Sequence, residues 1–250
     1  MRHQLQPAYL LHRRPFRDGS DLLDVFCADQ GRLGLVARGL NRRRRGGTLA
    51  ALLQPFRPLL LSFSGRGELL TLTAAESAGE LAPLVGRALF SAFYLNELLL
   101  RLLQRFETHP GLFHAYAEAL GELAESSGAV PALEPALRRF EFRLLEELGY
   151  AVDLTREAYS DAPVCADACY ALVPDTGLRA VAPESAAADS YFRGEELLAV
   201  ARGDFSAASA QTAKRLVRVL LHPHLGDAPL RSRAMFASAP APDDVGVQSA

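Results

Sequence analysis

Four consecutive arginines, Arg42 to Arg45, lie within the segment Arg38-Gly39-Leu40-Asn41-Arg42-Arg43-Arg44-Arg45-Gly46-Gly47. A guanidinium stays charged at physiological pH and donates in a planar fork that matches phosphate oxygens. Burying four together would demand four desolvated partners. The run is therefore expected on a mobile surface loop, whose glycines let the charges follow a curved polyanion. Each phosphate neutralised releases condensed counterions, so affinity from such a loop falls steeply with salt. Arg13, Arg14, Arg17, Arg38 and Arg66 are candidates for the same face. The alternative is a solvated basic loop with no partner, because short basic runs are weak motifs. Base stacking is not indicated, since Phe16, Phe26, Phe56 and Phe63 alternate with apolar neighbours and read as core.

Nothing in the chain points to covalent chemistry. GxxxxGK[ST], GxSxG and HExxH are all missing from the sequence, and with them the phosphate cradle, nucleophile elbow and zinc helix they build. Glu146-Glu147 and Asp243-Asp244 are adjacent pairs, and neighbours on a helix diverge. Cys165-x-x-x-Cys169 has no second cysteine pair downstream, whereas a closed zinc site needs four ligands. His222 and His224 flank Pro223, an awkward completion of that site. The expectation is no enzyme, no metal and no cofactor, with two ordinary thiols.

The net charge of −2 hides an asymmetry. Residues 1–80 hold 12 Arg and no Lys against seven acidic residues, a net +5, while residues 81–250 carry 15 basic and 22 acidic groups, a net −7. Such a split suggests that the first part meets a polyanion. A chance surface distribution is the alternative. Three cysteines do not describe a secreted disulfide framework. The N-terminus lacks the apolar h-region of a signal peptide. The most apolar stretch, Ala88 to Leu103, is interrupted by Asn96, Glu97 and Arg101, short of a membrane span. A cytoplasmic, soluble protein is expected.

The elements that must position the arginines read as short strands. Tyr9–His12, Leu22–Ala28, Arg32–Arg38, Phe56–Ser64 and Glu68–Ala74 are separated by turn chemistry at Asp29-Gln30-Gly31 and Gly65-Arg66-Gly67. In the third, Leu33, Leu35 and Ala37 point one way and Arg32, Gly34, Val36 and Arg38 the other. Strands this short and close suit a small barrel such as the OB-fold. From about Ser77–Pro83 the period becomes helical, with Phe90, Tyr94, Leu98 and Leu102 on one stripe. Further helices are expected at Gly111–Ser126, from Pro131–Pro135 to Leu148, at Gly194–Arg202 and at Ser209–Leu221. Asp153–Arg193 reads as loop, and the tail from Ser238 as disordered. The fold class is α+β: a barrel over residues 1–80, a helical domain over 81–237 and a tail over 238–250.

Several segments, in order, resemble the RecO family of recombination mediators. They include Leu11-His12-Arg13-Arg14-Pro15-Phe16, Leu23-Asp24-Val25-Phe26, Gly31-Arg32, Leu35-Val36-Ala37-Arg38-Gly39, Leu53-Gln54-Pro55-Phe56 and Gly65-Arg66-Gly67-Glu68. Tyr94-Leu95-Asn96-Glu97-Leu98-Leu99, Glu134-Pro135-Ala136-Leu137-Arg138-Arg139-Phe140-Glu141, Leu148-Gly149-Tyr150 and Pro229-Leu230-Arg231-Ser232-Arg233 continue it across residues 7–236. The resemblance implies an N-terminal OB-fold that binds single- and double-stranded DNA. It implies annealing of complementary strands and, with RecR, loading of RecA onto strands coated by single-strand-binding protein, in the bacterial cytoplasm and nucleoid. An annealer must hold two polyanions close, which intervening cations permit. Residues 153–193 would be an irregular insertion, the remnant of a zinc site that some members carry. Members also bind the acidic, Phe-terminated tail of single-strand-binding protein on the helical domain, for which Arg138 and Arg139 are the candidates here. The alternative for these two is an ion pair with Glu141 or Glu134 on the helix. Lys214, Arg215 and Arg218 either extend a DNA track or form a solvated helix face. A competing overall reading is a protein-binding adaptor whose basic loop is incidental.

Overall fold

Leu23, Val25 and Cys27 alternate with polar or outward-facing neighbours, as do Leu33, Leu35 and Ala37, and all six are fully buried. A period of two puts such residues on one face of a strand, and closing the strands on that face makes a barrel interior. The computed structural model describes residues 2–40, 43–44, 47–80, 82–126, 130–173, 176–182, 191–226 and 228–232. The barrel strands are β1 (Arg2–Pro15), β2 (Ser20–Cys27) and β3 (Gly31–Arg38), then β6 (Pro58–Ser64) and β7 (Leu69–Ser77). They close in the order β1-β2-β3-β7-β6, and only the β3–β7 pair is parallel. This is the OB-like, α+β architecture expected. Between β3 and β6 lie β4 (Arg43–Arg44), β5 (Gly47–Thr48) and α1 (Leu49–Leu52). Leu40 and Leu53 are buried in the barrel core, with Leu49, Ala50 and Leu52 packed against it.

The first strand extends well beyond Tyr9–His12. Its first half pairs with β6 and its second with β2, with a register shift between Leu10 and His12. Such irregularities bend and twist a strand, and here one strand serves two neighbours.

The helices are α2 (Gly86–Leu102), α3 (Pro110–Glu125), α4 (Val130–Glu147), α5 (Gly194–Ala201) and α6 (Ala207–Leu225). Their ends fall within a few residues of the expected ones, the usual latitude of helix boundaries. Among the described residues, no helix is long and apolar enough to cross a membrane.

The loop reading of residues 153–193 needs correction. It contains β8 (Cys169–Val173), β9 (Gly177–Val181) and β10 (Phe192–Arg193), ordered β10-β8-β9. Tyr170, Leu178 and Phe192 from this sheet share a core with Leu197, Val200, Ala213 and Leu216 of α5 and α6. Each strand is too short for its alternation to stand out, and the sheet forms because helices cover one face.

Barrel and helices share a continuous apolar interface. Tyr9, Leu11, Phe26 and Phe56 face outward from the barrel into the cluster built by α2, α3 and α4. Phe63, by contrast, lies inside the barrel. Asn96 of α2 is buried at this junction. Its Nδ2 donates to the Leu11 carbonyl at 2.9 Å, and its Oδ1 accepts from the Tyr116 hydroxyl at 2.5 Å. Burial pushes the Tyr116 phenol well above its ordinary pKa, so the hydroxyl remains a donor. Replacing Asn96 with Ala leaves a buried carbonyl and a buried hydroxyl unpaired. A loss of about 1–3 kcal/mol is expected, read as a lower urea midpoint with unchanged m-value.

Candidate nucleic-acid interface and partner groove

Strand register fixes where the basic residues lie. Arg14 pairs with Leu22, Leu22 with Val36, and Ser20 with Arg38. Residues directly opposite share a face, and so do residues two apart on one strand. Arg14 and Arg38 therefore share the outer face at one end of the barrel, two strand spacings or about 10 Å apart across the sheet. Both are exposed and make no ion pair among the described residues. Arg13, at the same end, is half-buried with its Nε 3.3 Å from Asp21 Oδ1. Arg66 is exposed in the turn between β6 and β7. That turn enters β7 at Leu69, beside Gly34, so Arg66 lies toward the opposite end of β3 from Arg38.

The segment that carries the arginine run leaves the barrel after Leu40, two residues beyond Arg38. Its base is clamped, because Leu40 is buried and its carbonyl accepts from Ala50 N–H at 3.0 Å. Thr48 caps α1 through its hydroxyl to Ala51 N–H at 3.2 Å. The expectation of a free loop is corrected at Arg43 and Arg44, whose backbone pairs antiparallel with Thr48 and Gly47. Arg42 and Arg45 lie outside the described residues.

One arginine of the N-terminal set has a different task. Arg32 Nη1 donates to the Leu100 and Leu103 carbonyls at 2.6 and 3.1 Å, at the C-terminal end of α2. A cation there satisfies orphan carbonyls and complements the helix dipole. Arg32 Nη2 and Arg105 Nη2 both reach Asp24 Oδ1, at 3.4 and 3.0 Å. Phe106 N–H donates to the Arg32 carbonyl at 3.0 Å. Gly31, at φ +66°, leaves no room for a side chain: a Cβ would sit 1.8 Å from the Glu107 carbonyl oxygen.

The helical domain presents a second basic feature, a groove of about 630 Å³ between α2, α4 and α6. Leu133, Leu137, Val217, Leu221, Leu225 and Leu230 supply apolar lining. Arg87, Arg138, Lys214 and Arg218 bring four cations against two carboxylates, Glu134 and Glu141. The two adjacent arginines on α4 do not act together. Arg138 is buried in the groove with Nη1 2.8 Å from Glu141 Oε2 and Nε 3.6 Å from Glu134 Oε2. Arg139 is exposed on the other flank and pairs with Glu122 of α3. Both intrahelical pairings weighed for Arg138 are present. Glu141 is fully enclosed, and burial raises its pKa against the opposing pull of Arg138 and the Tyr94 hydroxyl. On α6, Lys214 and Arg218 line the groove, whereas Arg215 stacks its guanidinium on Phe192 at 4.5 Å. The groove was missed in the sequence, although Lys214, Arg218 and His222 recur every four residues beside Val217, Leu221 and Leu225.

Cys165 is exposed and Cys169 half-buried. His224 stacks on Tyr150 with ring centroids 3.5 Å apart. Among the described residues no group of three or more His, Cys, Asp or Glu side chains is placed to hold a metal ion.

The Recombination protein O N-terminal family model matches residues 1–80, and the Recombination protein O C-terminal model matches residues 85–234. The chain is 46% identical over 237 residues to the DNA repair protein RecO of Nitrosococcus oceani, covering 94% of each chain. It is 44% identical over 235 residues to that of Ralstonia nicotianae, covering 92% of this chain and 83% of the relative. For that of Vibrio cholerae the figures are 43% over 240 residues and 95% of each chain. The chain belongs to the RecO family.

In this RecO-family chain one wall of the groove depends on Glu97. The carboxylate accepts from Arg231 N–H at 2.9 Å, Ser232 N–H at 2.9 Å and the Ser232 hydroxyl at 2.7 Å. Arg101 donates to the Ala228 and Pro229 carbonyls at 2.6 and 2.7 Å, and to Glu97 at 2.8 Å. Ala228, Pro229 and Leu230 line the groove. Burial alone would raise the Glu97 pKa, but the bonds from Ser232 and Arg231 and the charge of Arg101 hold it below the ordinary value. A depressed carboxylate stabilises the fold above its unfolded pKa and loses that contribution as pH falls through the folded one. Amide exchange across residues 228–232 should thus accelerate as pH drops below the ordinary carboxylate range, after correction for intrinsic exchange. Glu97→Gln should show the faster exchange already at pH 7.

Proposed function

We propose that the chain anneals complementary single strands and, with RecR, helps load RecA onto strands coated by single-strand-binding protein. RecO-family membership itself makes this a DNA repair and recombination protein, a mediator without catalysis. The finer reading is carried by one observation: exposed Arg14 and Arg38 share the barrel end from which the four-arginine excursion emerges. Phosphates held there would be neutralised by guanidinium forks without disturbing the core. Arg13, at the same end, extends the proposed contact with its charge partly answered by Asp21, whereas Arg66, toward the opposite end of β3, lies apart from it. Two strands gripped by one basic surface feel less mutual repulsion, which is the physical requirement for annealing.

In the same reading, the groove takes the acidic tail of single-strand-binding protein. Its cations suit carboxylates and its leucines suit an aromatic terminus. Arg138 is the arginine positioned for this, and Arg139 lies outside the groove. Such a molecule holds DNA at one end and the protein coating that DNA at the other.

Replacing Arg42 to Arg45 with Ala should weaken binding to single- and double-stranded oligonucleotides. It should also flatten the slope of log affinity against log salt by about 3 units if each arginine meets a phosphate. ATP-independent annealing at low salt should slow in parallel. An adaptor that uses only the groove would leave both readings unchanged.

A further inference from the structure

Glu134 stands at the rim of the groove and bridges cations from two helices. Its Oε1 is 2.9 Å from Lys214 Nζ on α6, and its Oε2 is 3.6 Å from Arg138 Nε on its own helix. Among the described residues, neither Oε2 nor the Arg138 Nε has a hydrogen-bond partner. The attraction between them is Coulombic and loosely seated.

Arg138 has a second, firmer counterion. Glu141 is 0% exposed, lies 2.8 Å from Arg138 Nη1, and takes the Tyr94 hydroxyl on its other oxygen at 2.5 Å. Swinging Glu141 away would cost a buried guanidinium its nearest counterion and leave it only Glu134 at 3.6 Å, at a large cost. Swinging Glu134 away would not. Its side chain is 23% exposed, so water is within reach, and Arg138 would keep Glu141. The two carboxylates therefore differ in kind: one anchors the guanidinium, the other occupies its open side.

We infer that Glu134 is an internal stand-in for the ligand's carboxylate. It neutralises Arg138 and Lys214 while the groove is empty and yields them to a peptide that ends in a free α-carboxylate. This rests on the reading of the groove as an acidic-tail site. Glu134 then lowers affinity for every anionic peptide and discriminates against those whose terminus cannot replace it. Glu141 acts as a positioning residue that keeps the guanidinium aimed at the groove during the exchange.

The test uses the full chain and a fluorescent aspartate-rich peptide ending in phenylalanine, prepared as free acid and as C-terminal amide. Glu134→Gln should tighten the free acid by about two- to fivefold, the scale of one partly exposed ion pair, and change the amide less. Glu134→Ala should do the same, which guards against a residual hydrogen bond from glutamine or a folding defect in one variant. Thermal melts accompany both. If wild type binds the free acid and both folded variants bind it equally or more weakly, Glu134 is no competitor and the inference falls while the groove reading stands. If no form binds either peptide at low salt, both fall together.

Discussion

A guanidinium from the barrel inserted at the end of a helix sets the geometry of this molecule. Arg32 lies on the outward face of β3 and spends its donors on the terminal carbonyls of α2 and on Asp24. Arg105, just beyond α2, returns to the same aspartate. A carboxylate shared by two guanidiniums, with helix carbonyls as the remaining acceptors, satisfies charges that are largely out of water. Gly31 permits the connection between α2 and α3 to lie against the strand, because any side chain would meet the Glu107 carbonyl. The barrel is thus fixed on the helices through backbone as well as side chains.

With that junction in place, the two faces of the protein carry different chemistry. The barrel end bearing Arg14 and Arg38 lies away from the residues that dock, since Tyr9, Leu11 and Phe26 are the ones buried against α2, α3 and α4. Arg14 and Arg38 there are exposed, the state in which a cation meets a polyanion through counterion release more than through shape. In the groove, cations sit beside leucines with counterions of their own, an arrangement that favours a ligand with both an apolar part and a charge. The Glu97 tether holds the segment at 228–232 against α2, and so makes a wall from residues distant in sequence.

Polar atoms at the barrel–helix junction are nearly all answered locally, as with Asn96 between Leu11 and Tyr116. Among the described residues, Arg32 Nε at the junction, His109 Nε2, and Ser91 Oγ, Glu134 Oε2, Arg138 Nε and Glu141 Oε2 around the groove are buried without hydrogen-bond partners. Unsatisfied buried groups are costly in a purely structural region. Glu141 Oε2 is answered by the charge of Arg138 at 2.8 Å, and Glu134 Oε2 and Arg138 Nε face each other at 3.6 Å.

What periodicity and turn chemistry could specify was legible in the chain itself. The alternation of Leu33, Leu35 and Ala37 marked a barrel strand, and helical stripes marked α2 to α4. The small sheet at 169–193 escaped, since five-residue strands carry little period of their own and this one is stabilised by α5 and α6. Counterions escaped as well. Nothing near Arg32 in sequence reveals that it binds the end of α2, 68 residues away, or that Glu97 holds Ser232 across 135 residues. Arg138 and Arg139 look equivalent in sequence, yet about 100° of helix rotation per residue sends one into the groove and the other toward Glu122. Local pattern determines which segments fold as what. Only long-range packing decides which cation keeps a partner and which is left to take one, because that depends on groups the chain brings together from far apart.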